Sequence, residues 1–477
     1  MRPKKILHAL ILSILPLLGV FTSAAATTPD ALRFSPLRFN PPQPEKQKLS
    51  NGLEVYLLED HELPLITVDV LVKSGTLYEP QDRVGLYQIM ADLMRTGGTT
   101  TRSPQKVDEE LESMAADVDI TIGREYGIAT LDVLTEDIEQ GLEIFADILK
   151  TPGFEQGRID LRKKQELEGI RRRNDDPFDI GIRFFPAYLY GREHPLGSYA
   201  EAAGIQNITV ADLLRAHAAL FNPDNLVLAV TGDFDEDRII PLLERHFTDW
   251  KSRHIRQPDL PEPDIYSGKP LVLFIQKDLN QSTILLGHIS LKRTPGNTDI
   301  FALRIMNEIL GESSFTSRLY REVRDKRGLA YSVGSYFDTS SYAFPGDWFA
   351  FAQTRAEKTV ETASIMIGVI EGMKRERVSG EELELIRDSL TNSFVFGFTD
   401  SSAIARQRMI LDFRGYPRDY LENYTERIGE VTAGDVQKMA KKYLSLDHLI
   451  IVVVGNEAYF EEPLNTLGQV IPIDPDD

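Results

Sequence analysis

The sequence predicts an α+β fold of two homologous halves, each containing antiparallel sheets backed by helices. Three observations support this prediction. The chain has 477 residues, more than a single hydrophobic core usually organises. Candidate strands adjoin in pairs and alternate with amphipathic helical stretches. A segment near the middle of the chain recurs close to the C-terminal end, which is typical of an internal duplication.

The recurring segment defines the two halves. Residues 208–212 read Ile-Thr-Val-Ala-Asp, and residues 431–435, which lie 223 positions later, read Val-Thr-Ala-Gly-Asp. In each copy, a Thr followed three residues later by an Asp forms a capping box, which predicts the start of a helix. A buried strand is expected after each helix, at 226–230 and at 449–453. Further strands are expected at 53–58, 65–72, 271–275 and 283–289.

Stretches without apolar periodicity mark the boundaries between these parts. Residues 257–264 contain three prolines among acidic residues, a composition typical of a linker. The expected organisation is a signal peptide at 1–26, an extended lead-in at 27–47, an N-terminal domain at 48–250, a linker at 251–270, a C-terminal domain at 271–465 and a tail at 466–477.

The N-terminus has the layout of a secretory signal. Arg2, Lys4 and Lys5 precede an apolar run over 6–20, and small residues follow up to Ala26. The alternative is a membrane anchor, but the run is short and contains Pro16. We therefore expect cleavage after Ala26, no stable membrane insertion, and a periplasmic or secreted protein.

Charge and cysteine content exclude several classes of function. The formal net charge of -20 repels nucleic acid and anionic membrane surfaces, so basic or neutral polypeptides are the expected partners. The chain contains no cysteine, which excludes a disulfide, a thiolate zinc site and a cysteine nucleophile.

A helix is predicted over residues 84–94. Its apolar residues fall on one face, whereas Gln88 and Asp92 lie on another, four positions apart. This spacing is the one by which a helix presents two metal ligands. However, an amide is a poor zinc ligand, and Ala91 has no carboxylate to take a proton from metal-bound water. Taken alone, the pattern equally describes a polar stripe on a surface helix.

The residues flanking this helix resemble a known site. Residues 74–80, Gly85-Leu86 and 96–99 are similar to the neighbourhood of the inverted zinc motif, His-x-x-Glu-His, of the pitrilysin/insulinase family of metallopeptidases. The resemblance places Gln88 and Asp92 at the two His positions and Ala91 at the catalytic Glu. The family's third ligand, a Glu, corresponds to Glu168, which a basic helix could also hold as an ion-pair member. The resemblance therefore implies a degenerate site with no metal in this chain.

The C-terminal half carries a second resemblance to the same family. Residues 314–332 contain Arg324 and Tyr331, seven positions apart, within Arg-Gly-Leu-Ala-Tyr. The resemblance implies a clamshell fold of the LuxS/metallopeptidase type, in which this pair reaches a zinc site across the cavity and binds the substrate backbone. A Tyr hydroxyl can donate to a developing oxyanion, and an Arg can hold a carbonyl. Alternatively, Arg324 pairs with a neighbouring acid, Asp325 or Glu322.

These observations lead to a hypothesis with two alternatives. The chain is expected to be the non-metal-binding subunit of an exported heteromeric zinc metallopeptidase, with zinc held by a homologous partner and a peptide as substrate. Peptide is expected to add to an exposed strand at Asp117–Ile122. The first alternative is an inactive scaffold or peptide-binding protein of the same fold. The second is an enzyme in which Gln88, Asp92 and Glu168 hold a hard cation.

Overall fold

A computed structural model describes residues 39–252, 257–313 and 315–476. The predicted signal peptide and the first part of the lead-in lie outside these ranges. In the described ranges, no helix is both long and apolar enough to cross a lipid bilayer.

The first half consists of a mixed sheet and the helices that cover it. Its described strands are ordered β1-β2-β6-β3-β5-β4, and β2 and β6 are the parallel pair. The strands are β1 (Glu45–Lys48), β2 (Glu54–Glu59), β3 (Leu65–Val72), β4 (Asp117–Ile122), β5 (Gly127–Leu134) and β6 (Leu226–Gly232). The helices are α1 (Leu86–Thr96), α2 (Pro104–Ser113), α3 (Ile138–Lys150), α4 (Gln156–Arg172), α5 (Pro177–Tyr190), α6 (Ala202–Gln206), α7 (Val210–Leu220) and α8 (Glu236–Phe247).

The second half repeats this plan. Its described strands are ordered β12-β7-β11-β8-β10-β9, with β7 parallel to both β11 and β12. They are β7 (Leu271–Gln276), β8 (Gln281–Ile289), β9 (Ala330–Phe337), β10 (Asp347–Arg355), β11 (Ile450–Gly455) and β12 (Gln469–Pro472). The helices are α9 (Asp299–Asn307), α10 (Thr359–Arg375), α11 (Gly380–Phe396), α12 (Ser401–Phe413), α13 (Tyr420–Glu430) and α14 (Ala433–Tyr443), with π-helical turns at Glu308–Glu312 and Tyr320–Asp325.

The duplication predicted from the sequence is visible in the fold. Helices α7 and α14 both begin with a capping box, in which Thr209 pairs with Asp212 and Thr432 with Asp435. Each helix leads into a central strand, β6 or β11, as predicted. The α+β class with two homologous halves is confirmed.

The sheets differ from the prediction in being mixed rather than antiparallel throughout. The last central strand of each half returns after a long run of helices and lies beside the first central strand in the same direction. Such a parallel pair requires a long crossover connection. Local strand patterns do not reveal this pairing, since they report only neighbours along the chain.

One helix of each half packs on the sheet of the other half. Helix α5 packs on β8 and β11 of the second sheet, and α12 packs on β2, β3 and β6 of the first. Phe185 of α5 is buried against Phe349, with ring centroids 5.8 Å apart. Ala405 of α12 is buried in a cluster with Leu71. The two halves therefore share core, which couples their stability.

Buried polar contacts also join the halves. The carboxylate of Asp69 on β3, which is 1% exposed, accepts two bonds from Arg406 of α12 at 2.7 and 3.1 Å. In the turn between β4 and β5, Glu125 accepts backbone N–H groups of Tyr342 and Ala343 at 2.7 and 2.9 Å. Charges without such partners would be costly to bury.

Two strands lie at the predicted domain margins. Strand β1 occupies the end of the expected lead-in and pairs with β2. Strand β12 lies within the segment expected to be a tail and pairs with β7. Its four residues are only partly buried, so the sequence carries little of the apolar alternation that predicts a strand.

Candidate functional site

Helix α1 is held firmly at its N-terminus. Gly85 adopts a left-handed conformation, with φ of 100°, that a larger residue would occupy with strain. The buried carboxylate of Glu79 accepts the backbone N–H groups of Gly85 and Tyr87 at 3.0 and 2.5 Å. Burial raises the pKa of Glu79 to about 7, even though these donors favour the ionised form. The helix that carries the degenerate motif is thus well ordered at its start.

The three positions of the degenerate motif lie where the helical spacing predicts. Gln88 and Asp92 are exposed on one face, whereas Ala91 is buried in the core. The Asp92 carboxylate binds the guanidinium of Arg162 on α4, and Arg162 also pairs with Glu166 at 2.5 Å. The Asp92 carboxylate, which a metal site on this helix would have to use, is therefore bound to an arginine instead.

Glu168 also has arginine partners. Its carboxylate lies 2.9 Å from Arg172 and 3.4 Å from Arg171, both on its own helix. Across the described part of the chain, no group of three or more His, Asp or Glu side chains is placed to hold a metal ion. In the hard-cation alternative, Asp92 and Glu168 would have to exchange these arginine partners for a metal ion.

Arg324 lies between two aromatic rings. It is on the π-helical turn that precedes β9, and its guanidinium carbon lies 4.8 Å from the ring centroid of Tyr320 and 4.4 Å from that of Tyr331. Its Nη1 donates to the backbone carbonyl of Tyr331 at 3.3 Å. Glu322 binds Lys326 and Arg327 instead, and the ion pairs of the described residues include none between Arg324 and either Glu322 or Asp325. The guanidinium thus keeps donors for a ligand.

Tyr331 projects from a β-bulge. Along the pairing of β9 with β10, Ser332 lies opposite Gln353 and Ala330 opposite Thr354, so Tyr331 is the extra residue. A bulge re-aims a side chain and often lies beside a functional site. The Tyr331 side chain is 81% exposed, although a large aromatic residue is usually at least partly covered. The structure thus presents Arg324 and Tyr331 together on the surface.

Two residues beside Arg324 were not identified from the sequence. Tyr320 supports the Arg324 guanidinium, and Phe315, an exposed residue, packs edge-on against Tyr320 at 5.3 Å. The spacing of four between Tyr320 and Arg324 was a usable signal, because side chains so spaced meet on a helix. The bulge left no such signal, since it depends on pairing with β10.

The predicted peptide-binding strand lies at a sheet edge. Strand β4 is the last strand of the first sheet, and its exposed side chains, Asp117, Asp119 and Thr121, alternate with buried ones. One side of its backbone is therefore not paired within the described sheet. Such an edge can accept a further extended segment.

Comparison with known protein families decides the classification. Residues 54–190 match the family described as insulinase, peptidase family M16, and residues 207–390 match its peptidase M16 inactive domain. Together the two matches cover more than half of the chain. The chain belongs to the insulinase family. The degenerate helix α1 lies in the first matched region, and Arg324 and Tyr331 lie in the second.

Curated relatives in the insulinase family have similar lengths. An uncharacterised zinc protease of Mycobacterium bovis is 26% identical over 408 residues, covering 84% of this chain and 91% of that protein. An uncharacterised zinc protease of Rickettsia felis is 27% identical over 407 residues, covering 83% and 94%. The likeness therefore spans both halves.

Solved structures share the fold. A peptidase M16 inactive domain from Pseudomonas fluorescens superposes with a TM-score of 0.79 at 23% identity, covering 88% of this chain and all of that one. The periplasmic protease PqqL from Escherichia coli gives a TM-score of 0.76 at 15% identity, covering 94% of this chain but 49% of PqqL. The predicted clamshell-type fold class is confirmed by these structures.

Proposed function

We propose that this chain is the non-metal-binding subunit of a heteromeric zinc metallopeptidase of the insulinase family. One observation carries the proposal: Arg324 and Tyr331 are presented together, with no acidic partner for Arg324 among the described residues, while Asp92 of the degenerate motif is paired with an arginine. The chain would keep the substrate-binding side of the reaction, and a homologous zinc-bearing subunit would supply the other side.

In such a complex, the pair would act on the peptide backbone. The Tyr331 hydroxyl would donate a hydrogen bond to the carbonyl oxygen that becomes negative during hydrolysis, and the Arg324 guanidinium would hold a neighbouring carbonyl. Zinc in the partner subunit would activate the attacking water. Within this chain, Tyr320 would keep the guanidinium in place through ring contact.

The two halves are joined by helices α5 and α12, each of which packs on the sheet of the opposite half. In the proposed heteromer, the zinc site of the partner subunit would face the exposed Arg324 and Tyr331 pair, and peptide would be enclosed between the two polypeptides. The periplasmic protease PqqL is about twice the length that this chain matches, which fits a second unit of similar size.

The subunit is proposed to be periplasmic or secreted. The signal layout of residues 1–26 supports this location. PqqL is described as periplasmic, which agrees with this location.

An inactive scaffold or peptide-binding protein is the second candidate. The inactive-domain description of the match over residues 207–390 favours it. A scaffold has no need for an exposed Tyr on a bulge, because 81% exposure of an aromatic ring contributes little to packing. The two candidates differ in whether Tyr331 affects turnover.

The test measures peptide hydrolysis by a complex of this chain with a homologous subunit that contains an intact His-x-x-Glu-His motif. We expect Tyr331→Phe and Arg324→Ala each to lower kcat by about 100-fold, the usual loss when a transition-state donor is removed. Tyr336→Phe is the matched control, because Tyr336 lies on the same strand and is 47% exposed. Unchanged kcat in both variants, with assembly intact, would favour the scaffold.

A further inference from the structure

A small cavity lies at one end of the first sheet, and its lining includes no residue of α1 and neither Arg324 nor Tyr331. It has a volume of about 180 Å³ and lies between β3, α3 and α8. Half of its lining residues are buried and apolar: Ile66, Ile138, Phe234, Ile239 and Leu242. The other half are polar and less buried: His61, Thr135, Asp233, Asp235 and Arg238. Pockets for small molecules usually exceed roughly 300 Å³, so this volume suits a single apolar side chain.

Two exposed leucines lie on the surface beside the cavity. The turn between β2 and β3 separates it from a second cavity of about 310 Å³, which reaches the N-terminus of α12. In this turn region Leu63 is 63% exposed and Leu65 is 44% exposed. These two leucines add exposed apolar surface next to the buried apolar side chains that line the cavity.

Carboxylates are concentrated around the cavity and the two leucines. Three segments meet at the end of the sheet, and they contain ten acidic residues and no lysine or arginine: Glu59, Asp60 and Glu62; Glu136, Asp137 and Glu139; and Asp233, Asp235, Glu236 and Asp237. The cationic groups facing them are His61, which binds Asp233 at 2.7 Å, Arg245, which binds Glu139, and Arg238 at the mouth. The local charge remains strongly negative.

We propose that this surface is a docking site for a cationic peptide segment whose apolar side chain enters the 180 Å³ cavity. Lysine or arginine residues on either side of that side chain would face the carboxylates. The charge pattern disfavours a second copy of this chain, because the net charge of -20 would repel it. The same repulsion disfavours an anionic membrane surface. The site is independent of the proposed peptidase role.

Binding to the isolated, full-length mature chain tests the inference without any partner subunit. The probe is a fluorescein-labelled 12-residue peptide of leucine and lysine, followed by fluorescence anisotropy at about 0.15 M salt. One comparison peptide replaces each leucine by serine, and the other replaces each lysine by glutamate. We expect both to bind at least about tenfold more weakly than the probe, because each lacks one of the two recognised features.

Variants locate the binding surface. Asp235→Lys combined with Glu62→Lys should weaken binding of the probe by about tenfold, since both side chains are exposed near the opening. Glu384→Lys, an exposed position on α11, is the matched control and should leave affinity within about twofold. Leu242→Phe, which fills the cavity, should weaken the leucine–lysine peptide but not the serine–lysine peptide.

Several results would overturn the inference. Equal affinity for the serine–lysine peptide would show that the carboxylates alone attract cations. Equal affinity for the leucine–glutamate peptide would show apolar adhesion without charge recognition. Self-association of the chain that is abolished by the double charge variant would show that the surface belongs to an oligomer instead.

Discussion

At the residue scale, Asp347 illustrates how a carboxyl group is buried where the two halves meet. It is buried at the start of β10, near Asp338, and Arg124 of the first half lies 3.3 Å from the Asp338 carboxylate. Burial, and then repulsion from Asp338, raises the pKa of Asp347 to about 6. The folded state therefore holds this proton more tightly than the unfolded state does.

Asp347→Asn should make stability less dependent on pH. Because the folded pKa lies above the unfolded value, the native chain loses stability as pH rises from about 4 through 6. At pH 7.5 the variant should exceed the natural chain in free energy of unfolding by up to about 3 kcal/mol, whereas at pH 4 the two should agree. Denaturant unfolding at both pH values measures this. Asp388→Asn, at an exposed position, is the control, and a constant difference across pH would refute the explanation.

The Asp69 and Arg406 contact is a second prediction at this scale. Arg406→Ala leaves Asp69 buried with Thr130 as its remaining donor among the described side chains, so we expect a loss of about 3 kcal/mol in free energy of unfolding at pH 7.5. Asp69→Asn in the same chain should recover part of this loss. The four chains of a double-mutant cycle, unfolded in urea, give the coupling energy directly. A coupling near zero would mean that the pair does not join the halves.

At the element scale, helix α5 is expected to stabilise both halves. Phe185→Ala removes a fully buried ring that packs on Phe349 of the second sheet, and should cost about 3–5 kcal/mol. Ile182→Ala on the exposed side of the same helix should cost less than about 1 kcal/mol. Hydrogen exchange, measured alongside the unfolding curve, identifies which parts of the chain lose amide protection. Loss of protection confined to the first half would contradict the shared core.

The elements near the site show what sequence can predict. The spacing of residues 86–94 placed Gln88 and Asp92 together on a face other than the apolar one, and both are exposed in the structure. The burial of Ala91 was not predicted. The capping boxes at Thr209 and Thr432 likewise depend only on nearby residues.

Other features depend on residues that are distant in sequence. The pairing of Asp92 with Arg162 joins positions 70 apart, and the bulge at Tyr331 is defined by β10. The exchange of α5 and α12 between the halves also leaves no local pattern, because a helix buries the same apolar face against any sheet.

At the scale of the whole molecule, charge and chemistry are distributed unevenly. The first half has the frame of a metal-binding helix with arginine-paired acids, and an acidic surface at the end of its sheet. The second half presents Arg324 and Tyr331. The halves share core through α5 and α12. Because Gln88, Ala91 and Asp92 stand at the positions of the family's zinc ligands and catalytic base, the account requires a second polypeptide to supply zinc for catalysis.

The most direct test is to measure zinc content and peptide hydrolysis for the isolated chain, for the isolated zinc-bearing homologue and for their mixture. The account predicts that the isolated chain contains no stoichiometric zinc and has no peptidase activity. It also predicts that the mixture is far more active than the homologue alone. Stoichiometric zinc with robust hydrolysis by the isolated chain would contradict the account, as would a mixture no more active than the homologue alone.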